Sequence, residues 1–139
     1  MSAPAPKVAA AASAVRYVST RGRMPAARFC DVLLGGLAPD GGLVVPQAYP
    51  RLTADELAAL RPLAYPDLAI SIISRFVDDI PADDLARLVR HAYRADTFGS
   101  PDITPLQTLE PGLHLLKLSN GPTLAFKDVA MQLLGELFE

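Results

Sequence analysis

Apolar positions along this chain recur at two spacings, and the switches between them mark out the elements. Tyr17-Val18-Ser19-Thr20 reads as a short strand that runs into a turn at Gly22 and Pro25. Phe29, Val32, Leu33 and Leu37 fall at helical spacing and predict a helix over about 27–37. Pro39-Asp40-Gly41-Gly42 is turn chemistry, and Leu43-Val44-Val45 follows it as a strand. Thr53-Ala54-Asp55-Glu56 has the order of a capping box and opens a helix to about Arg61. Pro66 suits the first turn of the next helix, which carries Leu68, Ile72 and Phe76. A third helix begins at Pro81. It places Leu85, Leu88, Val89 and Ala92 on one face, with Asp83 and Asp84 in the first turn, where the helix dipole favours acids.

The pattern breaks from Thr97 to Pro105, around Gly99-Ser100-Pro101. Beyond the break, Leu106 to Leu109 and Leu113 to Leu118 read as strands joined by a Glu110-Pro111-Gly112 turn. Gly121-Pro122 then precedes a helix expected from about Thr123, with Phe126, Ala130, Leu133, Leu134 and Leu137 on one face. No capping signal closes that helix before Glu139, and it has no evident sheet of its own to rest on. The expected fold class is α/β. A small, mainly helical N-terminal domain over 15–96 leads into the truncated start of a second, α/β domain over 97–139, so the chain reads as the front of a longer protein. Residues 1–14, MSAPAPKVAAAASA, read as a disordered tail rather than a signal peptide, since the apolar stretch is mostly alanine behind a single lysine.

Charge and composition narrow the function. Acids exceed bases by 15 to 13, too close a balance for a nucleic-acid binder, which needs a basic surplus or stripe. No apolar run approaches the roughly 20 residues of a membrane span. Cys30 is the sole cysteine, which excludes an intrachain disulfide. With two distant histidines it makes no zinc pattern, and a reducing cytoplasm is the expected setting. Gly41 and Gly42 lack the spacing of a phosphate-binding fingerprint and read as a turn. His91 beside the apolar stripe reads as a surface or half-buried histidine.

The segment richest in chemistry is Ser119-Asn120-Gly121-Pro122-Thr123-Leu124-Ala125-Phe126-Lys127-Asp128. Lys127, one of three lysines, is expected in the first turn of a helix among Leu124, Ala125 and Phe126. Desolvation at the positive end of a helix lowers an amine's pKa, as a nucleophile or base requires. Most helix lysines are nonetheless solvated. On this reading Thr123 is a helix N-cap, Asp128 an acid favoured by the dipole and Phe126 a packing residue.

Gly-Pro-Thr-Leu-Ala-Phe-Lys-Asp, residues 121–128, resembles the cofactor-lysine segment of threonine synthases, fold-type II pyridoxal-phosphate enzymes. Tyr17-Val18-Ser19-Thr20-Arg21-Gly22 resembles that family's opening signature, and Asp40-Gly41-Gly42-Leu43-Val44-Val45-Pro46 its DGGL-x-VP turn. Val129-Ala130-Met131-Gln132-Leu133-Leu134 resembles the continuation after the lysine. The likeness runs from about Tyr17 to Glu139 in the family's order. Lys117 and Asn120 depart from the acidic residue and the histidine usual at those places.

The resemblance implies that 97–139 begins the pyridoxal-phosphate domain and that Lys127 is both the cofactor-binding and the catalytic residue. Lys127 would hold pyridoxal 5'-phosphate as a Schiff base, then serve as the base in converting O-phospho-L-homoserine and water to L-threonine and phosphate. The family's phosphate cradle and ring-nitrogen partner lie beyond Glu139, so the remainder of the protein is an implied partner. Arg21 has the fork geometry for a phosphate but reads as a surface residue. The competing readings are a serine or threonine dehydratase, which shares the Phe-Lys-Asp core, and a non-catalytic helical interaction module.

Overall fold

The structure, a computed structural model, describes residues 14–139. The expected tail over 1–14 therefore falls, but for Ala14, outside the described residues. Strand β1 (Tyr17–Ser19) pairs antiparallel with β2 (Val44–Pro46), Val18 opposite Val45. Helix α1 (Phe29–Gly35) lies between them in sequence. Helices α2 (Ala54–Leu60), α3 (Tyr65–Ile73), α4 (Ala82–Ala92) and the short α5 (Ala95–Phe98) follow. Strands β3 (Leu106–Glu110) and β4 (Leu113–Leu116) form an antiparallel hairpin with a bulge between Thr108 and Glu110. Helix α6 (Asp128–Phe138) comes last. Helices with two small antiparallel sheets give the mixed architecture that the pattern predicts.

Helix α4 organises the core. Leu85, Val89 and Ala92 repeat at four and three residues, so all three point inward and are buried. Each large side chain removed from water there contributes about 1.5–3 kcal/mol. Val77, Tyr93, Phe98 and Ile103 close over them. The core thus takes in Phe98 and Ile103, from the stretch where the sequence pattern lapses. Tyr93 sets its ring edge-on to Tyr65 at 5.2 Å. Burial, with Tyr65 nearby, pushes its hydroxyl up to about 12, so it stays a donor and bonds the Val129 carbonyl of α6 at 2.9 Å.

Two expectations for the C-terminal segment are corrected. Helix α6 starts at Asp128 rather than near Thr123. It also has a support: Val129 and Leu133 pack against the core, and His91 Nδ1 on α4 lies 2.6 Å from Glu136 Oε2. The unsupported element is the hairpin, whose residues are exposed throughout, Leu106, Leu109 and Leu116 among them. Amides of β3 and β4 are expected to exchange with solvent faster than those of α4 and α6 in the 139-residue chain, as hydrogen-exchange mass spectrometry will read. Equal protection would show the hairpin to be held by contacts absent from this fold.

The capping box at α2 forms as its sequence predicts. The Glu56 amide donates to Thr53 Oγ1 at 3.2 Å, and the Thr53 amide to Glu56 Oε2 at 2.7 Å. Glu56 also receives Arg75 Nη2 at 2.9 Å, which ties α2 to the end of α3. The Thr53 amide, then Arg75 and the Thr53 hydroxyl, hold its carboxyl down at about 2 against an ordinary 4.5. A depressed carboxyl stabilises above its unfolded pKa, and that contribution is lost as pH falls toward the folded value. The melting-temperature difference between wild type and Glu56→Gln should therefore be constant above about pH 5.5 and shrink between about pH 4.5 and 2. A difference independent of pH would remove Glu56 from that account.

Candidate functional site

The opening signature and the DGGL turn interlock in space through residues 21 apart in sequence, Ser19 and Asp40. Ser19, buried on β1, donates through Oγ to Asp40 Oδ1 at 2.6 Å. Asp40 also accepts the Gly42 amide at 2.9 Å and the Arg23 amide at 3.0 Å. The Ser19 hydroxyl, then those amides, hold the Asp40 carboxyl below the usual range. A Cβ at Gly42 would strike Ser19 Oγ, so the close approach of the two segments requires glycine there. Arg21 donates Nη1 to the Asp40 carbonyl oxygen at 2.9 Å. Its guanidinium is committed in part to fastening this turn.

Lys127 lies at the other end of the fold. Its backbone takes helical angles (φ −63°, ψ −22°), and its carbonyl accepts the amides of Ala130 and Met131 at 3.0 and 2.8 Å. The side chain is exposed, and among the described residues no carboxylate lies within 4 Å of it. Among the described residues no apolar surround closes over it, with Leu124 72% and Phe126 66% exposed. Among the described residues the amine has no ion pair, while the backbone that carries it is hydrogen-bonded into the start of α6.

Asp128 bonds back into the loop before it. It is only 3% exposed, and its two oxygens accept the Thr123 amide at 2.8 Å and the Thr123 hydroxyl at 2.7 Å. The Thr123 hydroxyl, then the amides of Thr123, Ala125 and Leu124, hold its carboxyl below the ordinary range, against the opposing effect of burial. At neutral pH it is a carboxylate. Thr123 is therefore the partner of Asp128 and not a helix cap. Leu124 sits at φ +60°, a left-handed conformation that costs a side-chain-bearing residue about 1–2 kcal/mol and ends any helical path through the segment.

Asn120 anchors the same loop to the core. Its Nδ2 donates to the carbonyls of Phe98 at 2.7 Å and Ile103 at 2.8 Å. The loop carrying Lys127 is thus pinned at Asn120, internally by Asp128 and through α6 by Tyr93. Sequence reasoning missed the Asn120 and Tyr93 links, since their partners lie 17 to 36 residues away. Cys30 is half-buried and donates its amide to Asp79. Burial, then Asp79, pushes its thiol up, away from nucleophilic use. His91 stays at the α4–α6 contact. Among the described residues no group of three or more His, Cys, Asp or Glu could hold a metal ion, and no helix is long and apolar enough to cross a membrane.

The family model for the threonine synthase N terminus matches residues 16–93, more than half of the chain. The chain belongs to the threonine synthase family. Threonine synthase of Methylobacillus glycogenes is 58% identical over 132 residues, spanning 90% of this chain and 28% of that protein. The threonine synthase of Corynebacterium glutamicum is 53% identical over 129 residues, spanning 88% and 27%. Pyridoxal-phosphate-bound threonine synthase from Brucella melitensis superposes with a TM-score of 0.84 at 47% identity, over 89% of this chain and 26% of that one. The yeast threonine synthase structure gives 0.77 at 39% identity, over 88% and 25%. The chain therefore spans about a quarter of the length of the threonine synthases it matches. Its fold is that of the front of these fold-type II enzymes, a mainly helical part leading into the start of the α/β part.

An exposed primary amine is the nucleophile that an aldehyde cofactor requires, so the chemistry of Lys127 fits one end of pyridoxal phosphate. Among the described residues no other lysine shares that loop.

Proposed function

We propose that this chain forms the N-terminal part of a threonine synthase that converts O-phospho-L-homoserine and water to L-threonine and inorganic phosphate. Lys127 is its cofactor-binding and catalytic residue, and the rest of the protein supplies the phosphate cradle and the ring-nitrogen partner. The observation that carries the reading is the Gly121–Asp128 loop: a segment like the family's cofactor-lysine motif, folded so that an unpaired amine stands on a pinned backbone. The pyridoxal phosphate bound by the Brucella melitensis relative supports the same cofactor here. A reducing cytoplasm is the proposed setting, on the ground of a single cysteine.

Pyridoxal phosphate, when bound, supplies the electron sink that makes protons on neighbouring carbons removable. Lys127 Nζ would hold it through the aldehyde carbon, and in its free form the same nitrogen would act as a base. It takes the proton from the substrate's α carbon and serves proton transfer at the β carbon, where water adds after phosphate leaves. The Asn120 and Asp128 bonds hold the loop from which that nitrogen projects, which favours repeated transfer between adjacent carbons.

Borohydride reduction of the full-length enzyme loaded with pyridoxal phosphate, followed by peptide mapping, is expected to place the adduct on Lys127. An adduct confined to Lys117 or to a lysine outside this chain would overturn the assignment.

A further inference from the structure

We propose that Asp128 is a positioning residue for Lys127, acting through the loop it folds and not through its charge. The inference rests on the reading of Lys127 as the cofactor lysine. Both Asp128 oxygens are taken by Thr123, one by the amide at 2.8 Å and one by the hydroxyl at 2.7 Å. Among the described residues it makes no ion pair with Lys127. A carboxylate buried beside an exposed lysine, yet turned away from it, is organising backbone.

The loop needs such a clamp. Leu124 is held at φ +60°, which the chain does not adopt without a compensating contact. A Cβ at Gly121 would lie 2.6 Å from Asp128 Oδ2, so the loop closes directly over the carboxylate. Asn120 fixes the entry to the loop through the Phe98 and Ile103 carbonyls, and the first turn of α6 fixes its exit. With the Asp128 bonds gone, residues 123–127 have no side-chain tether of their own among the described residues, and the lysine samples a wider space.

The geometry also sets how replacements must differ. Asparagine at 128 can accept the Thr123 amide through its oxygen and donate its amide nitrogen to the Thr123 hydroxyl oxygen. It keeps both links and loses the charge. Alanine loses both links. Thr123→Val removes the hydroxyl link and keeps the amide link.

The test is run in the full-length enzyme with pyridoxal phosphate itself as the probe. Condensation of an amine with its aldehyde expels water, and borohydride reduces the resulting C=N bond to a stable secondary amine. Mass-spectrometric mapping then compares the labelling rate of Lys127 with that of Lys117, an exposed lysine outside the loop. Asp128→Ala should lower the Lys127 to Lys117 ratio by about tenfold, as fits the loss of both Thr123 links. Thr123→Val should fall between, and Asp128→Asn should stay within about threefold of wild type. Should Asp128→Ala fail to fold by circular dichroism, the Thr123→Val and Asp128→Asn ratios decide alone. A wild-type ratio in Asp128→Ala or Thr123→Val, or an Asp128→Asn ratio as low as that of alanine, overturns the proposal. A wild-type enzyme that never labels Lys127 preferentially overturns instead the reading of the lysine itself.

Discussion

Lys127→Arg in the full-length enzyme is expected to abolish threonine formation while leaving the melting temperature of the cofactor-free protein unchanged. Arginine keeps the positive charge and most of the stem. The side chain it replaces is exposed and makes no ion pair among the described residues, so folding loses nothing. The backbone at 127 is ordinary helical, which arginine adopts readily. The guanidinium, however, is not deprotonated in proteins, so it neither captures an aldehyde nor accepts a proton from carbon. Losing one acid–base group costs at least about a hundredfold, and here covalent capture is lost with it. Phosphate release from O-phospho-L-homoserine and differential scanning calorimetry measure the two halves separately. Near-normal turnover in a well-folded variant would falsify the proposed role. A collapse of stability would make Lys127 structural.

Phe98→Ala is the second large effect, and it falls on stability. Phe98 is 1% exposed, its ring 6.2 Å from that of Tyr93, in the cluster that α4 builds. Truncating a buried phenylalanine costs about 3–5 kcal/mol, the lost transfer energy plus the cavity left behind. The same substitution loosens the Phe98 carbonyl that accepts Asn120, so the lysine loop should lose order along with the core. Leu34→Ala, at a side chain 78% exposed, serves as the control and should stay within about 0.5 kcal/mol. Denaturant titration of both variants checks the contrast. A Phe98→Ala loss below about 1 kcal/mol would mean that the core is not closed at this position.

What was legible in the sequence was local. The capping box at Thr53 and Glu56 and the buried face of α4 depend on residues three and four apart, and both stand as read. Helix α5 was not legible, because its four residues are too few to show a period. The pairing of β1 with β2 joins residues about 25 to 29 apart, beyond what pattern reaches. The start of α6 was misplaced for a physical reason: Thr123 looks like a cap, yet its amide and hydroxyl go to Asp128, and Leu124 leaves the helical region. That five-residue shift takes Phe126 off the helix altogether and out to solvent. Lys127 is singled out by a motif resemblance alone. The clamp around it is not legible, because Asn120 and Tyr93 bond distant backbone carbonyls and Asp128 bonds Thr123 across a bend that no periodicity announces.

The Asn120 anchor also bears on timing. Its acceptors, the Phe98 and Ile103 carbonyls, and the Tyr93 hydroxyl that receives α6 at the Val129 carbonyl, all precede the lysine loop in the chain. A ribosome adding about 5–20 residues per second releases the α4 core before it releases residue 120. Asn120 therefore follows both of its carbonyl acceptors off the ribosome, and α6 follows its Tyr93 donor. Vectorial synthesis thereby spares the lysine loop a search for its partners, whereas refolding from denaturant, with the whole chain present at once, must find the same order without that help.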